Sequence, residues 1–302
     1  MKVKQTIPPE RRFIITQFNE KFSDDDACLD WLMEQRYPGG TTMCSYCEVE
    51  RKHHRIAKKK AYACGNCGTY ISPMAGTIFE KSSTSLRLWF YAMYLMSATR
   101  CGISAKQIQR ETGVTYKTAW RMFKQIRTLM SERISLEGSL VEMDETYVGG
   151  RPRKGGRPTR GRGDKSKTCV VGAVERGGKV VAVIADDASK KTLHGVAKEF
   201  ILPDSIVYTD EWRGYNGLGK VNGYEHRRIN HSAGVYVVGT THTNTIEGFW
   251  SLVKRGIGGV YHSVSKKYLQ TYLDEYSFRY NRRNSGQPMF TSLLEQVAEQ
   301  AE

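Results

Sequence analysis

Three acidic residues in the C-terminal half of the sequence have the type and setting of metal ligands. Asp144 lies in the segment VEMDETY, which alternates apolar and polar residues as a strand does, and Asp210 ends the apolar run SIVYTD. Glu247 lies in THTNTIEGFW, at the start of a predicted helix. Converging carboxylates repel one another unless a cation is present, and their oxygens suit Mg²⁺. The three acids therefore predict a divalent-metal site, provided that the sheet places the two strands side by side.

Such a site suits the chemistry of phosphodiester bonds. Two Mg²⁺ ions, or Mn²⁺ in their place, held about 4 Å apart can activate an attacking water or 3′-hydroxyl and stabilise the leaving oxygen. An isolated Asp or Glu at a strand end usually caps a turn or faces water. The prediction therefore depends on the joint placement of the three acids and not on any one of them.

Four cysteines form a second candidate site. Cys44 and Cys47, then Cys64 and Cys67, give the pattern C-x2-C, sixteen residues, C-x2-C. Four thiolates at this spacing can bind one Zn²⁺ tetrahedrally, and a site filled by protein at all four positions is structural. The two histidines of the basic run 53–60 could substitute as ligands, but we predict that the run lies on the face of the ribbon. There it is either a solvated loop or a DNA contact.

The charge balance indicates a polyanionic partner. The chain has 46 Lys and Arg against 31 Asp and Glu, for a formal net charge of +15. Nucleic acid is the commonest such partner, and the alternative is a basic surface without that role. The N-terminus has no secretory signal and the longest apolar stretch, 88–98, is too short to span a bilayer, so we expect a cytoplasmic protein with no membrane partner.

Between the cysteines and the acidic segments the pattern is helical. The segment SAKQIQRETGV followed by TYKTAWRMFKQIRTLM fits a short helix, a turn at Gly113 and a second helix from about Thr115, which is the rhythm of a helix-turn-helix. The second helix would enter a major groove, and the alternative is a small helical bundle without groove contact. The residues predicted to face outward and contact DNA are Tyr116, Lys117, Lys124 and Arg127.

A strongly basic segment separates the first two strands of the C-terminal half. GGRPRKGGRPTRGRGDKSK contains eight Lys or Arg and no apolar residue, so it cannot build a core. We interpret it as a loop that binds the DNA backbone, with a solubilising loop as the alternative. The DNA contacts predicted in it are Arg151, Arg153, Lys154, Arg157, Arg160 and Arg162.

The order of these segments predicts four parts. A helical segment over 1–40, with one helix at 18–36, precedes the zinc ribbon at 41–80 and the helix-turn-helix module at 81–137. From 138 to 302, strand-like runs rich in Val and Ile alternate with helical runs, which predicts an α/β unit with a mixed sheet and flanking helices.

Four motifs in this last part carry a family resemblance: MDETYVGG, YTDEWRGY, HTNTIEGFWSLVKRG and SFRYNRR. From about residue 20 to 295 the chain resembles the bacterial DDE insertion-sequence transposases with an N-terminal zinc ribbon, the ISXO-type group. The resemblance implies an RNase H-like catalytic domain, dependence on Mg²⁺, and cleavage at the terminal inverted repeats of a mobile element followed by strand transfer. The implied partner is double-stranded DNA of the element ends and target, bound at the nucleoid by a homodimer or larger assembly that joins two ends.

Matched residue by residue, Asp144 and Asp210 correspond to the first two acids and Glu247 to the third. Some relatives are credited with an asparagine at the third position, and Asn244 lies one helical turn before Glu247. A basic residue commonly follows the third acid by two turns, and Lys254 has that spacing from Glu247. Glu247 also brings a charge to the metal, so it is the favoured third ligand, with Asn244 as the alternative.

Two other functions are compatible with the same segments. A DNA-binding regulator with a zinc ribbon, a helix-turn-helix and a degenerate catalytic fold would be free to lose the acids, whereas candidates for all three remain here. A nuclease on the same fold would cut DNA without joining it, and only the family resemblance separates it from a transposase.

Overall fold

The computed structural model describes Pro8 and residues 12–138, 140–149, 167–229 and 243–299. They divide into two units, one formed by Met1–Leu129 with Ser285–Glu302 and the other by Met130–Asn284. No helix in the described ranges is long and apolar enough to cross a membrane. The predicted DNA contacts of the basic loop lie outside the described residues: Arg151, Arg153, Lys154, Arg157, Arg160 and Arg162.

The first unit begins with two helices where the sequence predicts one. Helix α1 ends at Lys21, and the Asp24 side chain then starts α2 by accepting a hydrogen bond from the backbone N–H of Ala27 at 2.8 Å. Capping of this kind satisfies an amide that has no partner within the helix, so it favours a new start at that point. The helices of this unit are α1 (Ile15–Lys21), α2 (Asp25–Arg36), α3 (Leu86–Ala98), α4 (Ala105–Thr112), α5 (Tyr116–Thr128) and α9 (Met289–Glu299).

The last helix belongs to this unit, although the sequence predicts it within the part 138–302. Helix α9 packs on α3 and α2. Its buried Phe290 lies among the rings of Phe13, Phe18 and Phe22, with centroid separations of 5.0 to 6.0 Å. The apolar face of α9 is therefore covered by the N-terminal helices, and the boundary of the second unit falls at Asn284.

Local capping defines the two helices α4 and α5. The Ser104 hydroxyl accepts a hydrogen bond from the N–H of Gln107 at 3.2 Å and starts α4, and Gly113, with a φ of 72°, ends it. Thr115 caps α5 by accepting from the N–H of Thr118 at 3.2 Å. The positive φ at the helix end is the reason that a glycine occurs there.

A small antiparallel sheet carries the cysteines. Its strands follow the order of the sequence, and the cysteine pairs lie where β1 turns into β2 and where β3 turns into β4. The strands are β1 (Thr41–Met43), β2 (Glu50–Arg55), β3 (Tyr62–Cys64) and β4 (Tyr70–Ile71).

The second unit is a mixed five-stranded sheet in the order β7-β6-β5-β8-β9. The contacts β7–β6 and β6–β5 are antiparallel, and the contacts β5–β8 and β8–β9 are parallel, so the predicted mixed α/β sheet is confirmed. Its elements are β5 (Leu140–Val148), β6 (Thr168–Glu175), β7 (Val180–Ala185), α6 (Lys190–Phe200), β8 (Ile206–Thr209), β9 (Glu225–Arg228), α7 (Asn244–Gly256), a π-helical turn (Ile257–Tyr261) and α8 (Lys266–Asn281).

Alternation along β5 divides its side chains between two cores. Val141 and Met143 pack with α6 on one face of the sheet. On the other face, Val170 and Val174 of β6 pack with α7 and α8. Because successive strand residues point to opposite faces, the even-numbered residues of β5, which include Asp144, face α7.

The outer edge of β7 is closed by two side-chain amides of α8. Asn281 bonds both backbone groups of Val180, at 2.7 and 3.1 Å. Gln270 accepts from the N–H of Ile184 and donates to the carbonyl of Ala182, each at 2.9 Å. These bonds hold α8 along the strand and satisfy polar groups that an edge strand would otherwise expose.

Candidate active site and zinc ribbon

The register of the sheet places Asp144 and Asp210 at the same level. In the parallel pair β5–β8, Leu140 lies opposite Ile206 and Glu142 opposite Tyr208, a constant difference of 66 positions. Continued by two residues, the same offset would bring Asp210, which directly follows β8, beside Asp144. The charge of Asp210 also raises the pKa of Asp144, which agrees with this proximity.

Asp144 is held in a partly buried position beside other negative charges. The indole Nε1 of Trp250 donates a hydrogen bond to its Oδ2 at 3.1 Å. Burial, followed by the negative charges of Glu145 and Asp210, raises the pKa of Asp144 to about 7. A carboxyl with this pKa has its ionised form disfavoured by its surroundings, so a cation at the site would be strongly favoured.

The turn after β8 orients Asp210. Its Oδ1 accepts the backbone N–H of Trp212 at 2.9 Å, and the Trp212 indole donates to the carbonyl of Ala188 at 2.9 Å. Arg228 of β9 donates to the backbone carbonyl of Glu211 within the same turn. The carboxylate is thus held by a turn that is itself fixed to neighbouring elements.

Helix α7 carries the third candidate acid. Glu247 lies three residues before Trp250, and its Oε1 accepts a hydrogen bond from the Thr243 hydroxyl at 3.0 Å. Glu247, Asn244 and Lys254 are all exposed. The side chain of Trp250 therefore fixes α7 to Asp144 about one turn away from Glu247.

Helical geometry distinguishes the two candidates for the third ligand. At about 100° per residue, Glu247 points about 60° from the direction of Trp250, and Lys254 about 40° from it. Asn244 points about 120° away, toward the outer side of the helix. Since Trp250 contacts Asp144, the face of α7 nearest that carboxylate includes Glu247 and Lys254 more closely than Asn244.

The acidic oxygens are less closely gathered than the cysteine sulfurs. Within the described residues, one group of three or more potential ligands has all its ligand atoms within 4.8 Å of one another, and it is the cysteine quartet. Asp144 and Asp210 fit a divalent cation by their chemistry and by the raised pKa of Asp144. In the described geometry the carboxylate of Glu247 is bonded to Thr243.

The four cysteine sulfurs have the spacing of a tetrahedral zinc site. The Sγ atoms of Cys44 and Cys67 are 3.5 Å apart, and those of Cys47 and Cys64 are 4.0 Å apart. Zn–S bonds of about 2.3 Å at tetrahedral angles imply S···S distances of about 3.8 Å. A side-chain hydrogen bond with Thr69 lowers the pKa of the Cys67 thiol to about 6, which favours the thiolate that binds a metal.

The run 53–60 does not lie wholly on the face of the ribbon as predicted. His53 is buried, pairs with Cys64 in the register of β2 and β3, and has its Nδ1 3.0 Å from the carbonyl of Arg51. His54, Lys58 and the other lysines of the run are exposed. His53 points inward because strand residues alternate between faces, and it is separate from the four-cysteine cluster.

For one of the four DNA-contacting residues predicted on α5, Arg127, the prediction that the side chain faces outward is wrong. Arg127 is 1% exposed, and its guanidinium lies 3.7 Å from the centroid of the Phe123 ring. It faces inward because it lies four residues after Phe123, on the same buried side of the helix. Tyr116, Lys117 and Lys124 are exposed, as the prediction requires.

Two residues near the acids were not singled out from the sequence. Glu142 is completely buried and bonds the start of α7, and Gly172 lies opposite Asp144 in the β5–β6 register. Glu142 had a detectable signal, because it is a charged residue two positions before Asp144 and therefore on the same face of the strand. Gly172 had none, since its role depends on a helix that is distant in sequence.

Gly172 allows Trp250 to approach the sheet. A Cβ atom at this position would lie 2.5 Å from Cζ2 of Trp250 and 3.1 Å from Cδ1 of Ile246. Both neighbours are buried, so α7 would have to move by about 1 Å to restore ordinary van der Waals contact. The glycine therefore sets the distance between α7 and the strand pair that carries Asp144.

We expect Gly172→Ala to lower the rate of DNA cleavage about 100-fold, because displacement of a catalytic group by about 1 Å has an effect of that order. Overpacking should also lower the free energy of unfolding by about 1–3 kcal/mol. Gly195→Ala in α6, where a Cβ meets nothing within 4 Å, is the matched control and should keep full activity. Single-turnover cleavage and thermal unfolding measure the two effects, and full activity of Gly172→Ala would contradict this role of the glycine.

The comparisons with known proteins agree with this division of the chain. Residues 135–281 match the ISXO2-like transposase domain, and residues 23–70 match the transposase zinc-ribbon domain. A Halobacterium salinarum protein described as an uncharacterized protein in transposable element ISH50 is 30% identical over 290 residues, covering 91% of this chain and 97% of that protein. The chain belongs to the ISXO2-like transposase family. An uncharacterized transposase-like protein of Haemophilus influenzae is 34% identical over 119 residues, covering 39% of this chain and 93% of that protein.

Family membership confirms the resemblance that the C-terminal motifs indicate. The transposase domain match lies within the second unit, which contains Asp144, Asp210 and Glu247. The zinc-ribbon match covers the four cysteines, and together with their clustering it supports a structural zinc ion in this transposase. The chain is therefore a DNA-acting transposase with a zinc ribbon before its DDE domain.

Proposed function

We propose that this transposase binds the terminal inverted repeats of its element and catalyses metal-dependent strand cleavage and strand transfer through Asp144, Asp210 and Glu247. The observation that carries the proposal is the parallel pairing of β5 and β8 just before the first two acids, supported by the effect of the Asp210 charge on the pKa of Asp144. The docking of α7 through Trp250 on the face of β5 that includes Asp144 adds support, because it brings the third acid to the same side of the sheet.

Asp144 and Asp210 are the residues that would hold the cations, with Glu247 as the third ligand. Two Mg²⁺ or Mn²⁺ ions bound there would supply the activation of the attacking oxygen and the stabilisation of the leaving oxygen. The protein orients the first carboxylate through the Trp250 indole and the second through the backbone N–H of Trp212. Lys254, two turns after Glu247 and exposed, would contact a DNA phosphate on the same face of α7.

An RNase H-like architecture is part of the proposal. The order β7-β6-β5-β8-β9, with two antiparallel contacts on one side of β5 and two parallel contacts on the other, is consistent with it. Helix α7, which follows the fifth strand, would then bring Glu247 toward the central pair of strands. This topology explains how residues more than 100 positions apart can form one site.

DNA binding by the first unit rests on exposed basic and aromatic side chains. On α5, Tyr116 is 43% exposed with the Lys106 ammonium 4.4 Å from its ring centroid, and Lys117 and Lys124 are exposed as well. We propose that α4 and α5 form a helix-turn-helix that inserts α5 into a major groove. The six arginines and lysines predicted in the basic loop remain proposed backbone contacts.

The zinc ribbon offers a second basic surface in the same unit. Tyr70 is 59% exposed, and the Lys59 ammonium lies 4.9 Å from its ring centroid. Lys52 and His54 are exposed nearby on β2. We propose that this surface contacts the element ends, and that two copies of the chain act together when two ends are joined.

A direct test uses the purified chain and a duplex that carries the inverted repeats flanking its gene. Cleavage at the repeat end and joining to a target duplex should require Mg²⁺ or Mn²⁺ and should fail with Ca²⁺ alone, which takes looser coordination geometry. Cleavage without joining would favour the nuclease. Binding without cleavage under every metal would favour the regulator and overturn the proposal.

A further inference from the structure

A buried carboxylate connects the start of α7 to the strand that carries Asp144. Glu142 lies two residues before Asp144 on β5, on the same face, and is 0% exposed. Its Oε2 accepts the backbone N–H groups of Thr245 at 2.8 Å and Ile246 at 3.1 Å. Its Oε1 accepts the Thr245 hydroxyl at 2.9 Å. One side chain thus bonds three donors in the first turn of the helix.

The two backbone N–H donors, those of Thr245 and Ile246, lack partners inside their own helix, since the first N–H groups of an α-helix have no intrahelical acceptor. The side chain of the residue before a helix often supplies an acceptor for them. In α7 that residue is Thr243, and its side chain makes no capping bond to a backbone N–H in the described part of the chain. Its hydroxyl donates to Glu247 instead, at 3.0 Å. Glu142, 103 residues before Thr245, performs the capping and leaves Thr243 to orient Glu247.

A guanidinium balances the buried charge of Glu142. Nε of Arg176, which follows β6, donates to Oε1 at 2.7 Å, and the same guanidinium lies 4.4 Å from the centroid of the Tyr208 ring. The positive end of the α7 dipole adds to this stabilisation. The carboxylate is therefore held by neighbouring strands of the sheet as well as by the helix.

The two attachments of α7 have matching spacings. On β5, Glu142 and Asp144 are two residues apart, which is about 6.6 Å along a strand. On α7, Ile246 and Trp250 are four residues apart, which is about 6 Å along a helix. Contacts at both points fix the rotation and the translation of the helix against the strand.

We propose that Glu142 is a positioning residue of the transposase: it holds α7 in register with β5 so that Glu247 lies on the side of Asp144. The inference rests on the proposed function, because it takes Glu247 to act together with Asp144. It assigns to Glu142 no contact with DNA or metal. The predicted consequence is that loss of the hydrogen bonds between Glu142 and α7 misplaces the third acid, Glu247, and leaves DNA binding by the first unit unchanged.

The test is Glu142→Gln, which keeps the side-chain shape but lacks the second acceptor oxygen. Single-turnover cleavage of end DNA should slow at least about tenfold, with the affinity for that DNA changed less than about twofold. The metal concentration at half-maximal rate should rise. Thr245→Val, which removes the hydroxyl bond and keeps both N–H bonds, should produce a smaller change in the same direction.

Glu275→Gln is the matched control for loss of a buried ion pair. Glu275 is also 0% exposed and bonds Arg279 at 2.8 Å, but it lies on α8. This variant should lose stability without a change in the metal dependence of cleavage. Equal shifts of the metal dependence in Glu142→Gln and Glu275→Gln would show a general structural effect and overturn the inference.

Backbone hydrogen exchange gives a readout that does not depend on activity. The N–H groups of Thr245 and Ile246 should exchange at least about tenfold faster in Glu142→Ala, which removes both acceptor oxygens, with exchange in α8 unchanged, because their protection comes from this carboxylate. Unchanged exchange there, or wild-type cleavage by Glu142→Gln, would overturn the inference. If the wild-type chain itself shows no metal-dependent cleavage, the proposed function fails instead, so the two failures are distinguishable.

Discussion

Asp144→Asn and Asp210→Asn are each expected to lower the rate of DNA strand cleavage at least about 10³-fold and to leave the binding of end DNA nearly unchanged. The substitution replaces a charged metal ligand by a neutral amide. Metal ions lower the activation free energy by several kcal/mol, and a 10³-fold loss of rate corresponds to about 4 kcal/mol. DNA affinity should persist because the proposed binding surfaces are in the first unit and the basic loop. Single-turnover cleavage and a binding titration on the same duplex measure both quantities.

Stability separates a catalytic effect from unfolding in Asp144→Asn. The folded-state pKa of Asp144 is raised to about 7 from an ordinary value of 3.8, so the folded state binds the proton more tightly. In Mg²⁺-free buffer the stability contribution of this group is therefore present at low pH and is lost as the pH rises toward 7. The Asn variant should be at least as stable as the wild type at pH 8, with less advantage at pH 5.

A matched control is available in the same sheet. Asp186 is exposed in the turn after β7, and β6 separates β7 from β5. Asp186→Asn removes the same charge and should retain wild-type cleavage. If Asp144→Asn or Asp210→Asn cleaves as fast as this control, the assignment of the metal ligands is wrong.

Local sequence patterns predicted the elements around the site well. The alternation in VEMDETY and the apolar run before Asp210 correctly indicate strands, and the C-x2-C pairs indicate the ribbon, because these signals depend on near neighbours in the chain. The exposed positions Lys117 and Lys124 on α5 also follow from helical periodicity. Arg127 does not, since a long side chain can be buried when its guanidinium lies over an aromatic ring.

What the sequence could not predict depends on contacts distant along the chain. The hydrogen bond from Thr245 of α7 to Glu142 joins residues 103 positions apart, and the space beside Gly172 is filled by Trp250 of α7. The packing of α9 with α2 and α3 likewise depends on a partner far away in sequence. Periodicity identifies which face of an element is apolar, but not which other element covers it.

Replacing Glu247 and Asn244 separately by Ala is expected to identify the third acid. Glu247→Ala should lower cleavage by at least about 10²-fold, since it removes a charge from the cation site. Asn244→Ala should remain within about tenfold of the wild type, because Asn244 points about 120° from the direction of Trp250 and carries no charge. The comparison uses single-turnover cleavage with Mg²⁺ and with Mn²⁺.

The reason to expect this order is the way in which α7 is attached. Trp250 contacts Asp144, and Glu247 points about 60° from Trp250 around the helix, so Glu247 lies nearer than Asn244 to the face of α7 that contacts Asp144. Both variants keep the Glu142 bonds to the backbone at the start of α7, and Ala is a good helix former, so neither should unfold the helix. A large loss in Asn244→Ala with near-normal Glu247→Ala would make Asn244 the ligand. It would also mean that α7 rotates when DNA and metal bind, because Asn244 points about 120° from Trp250, which contacts Asp144.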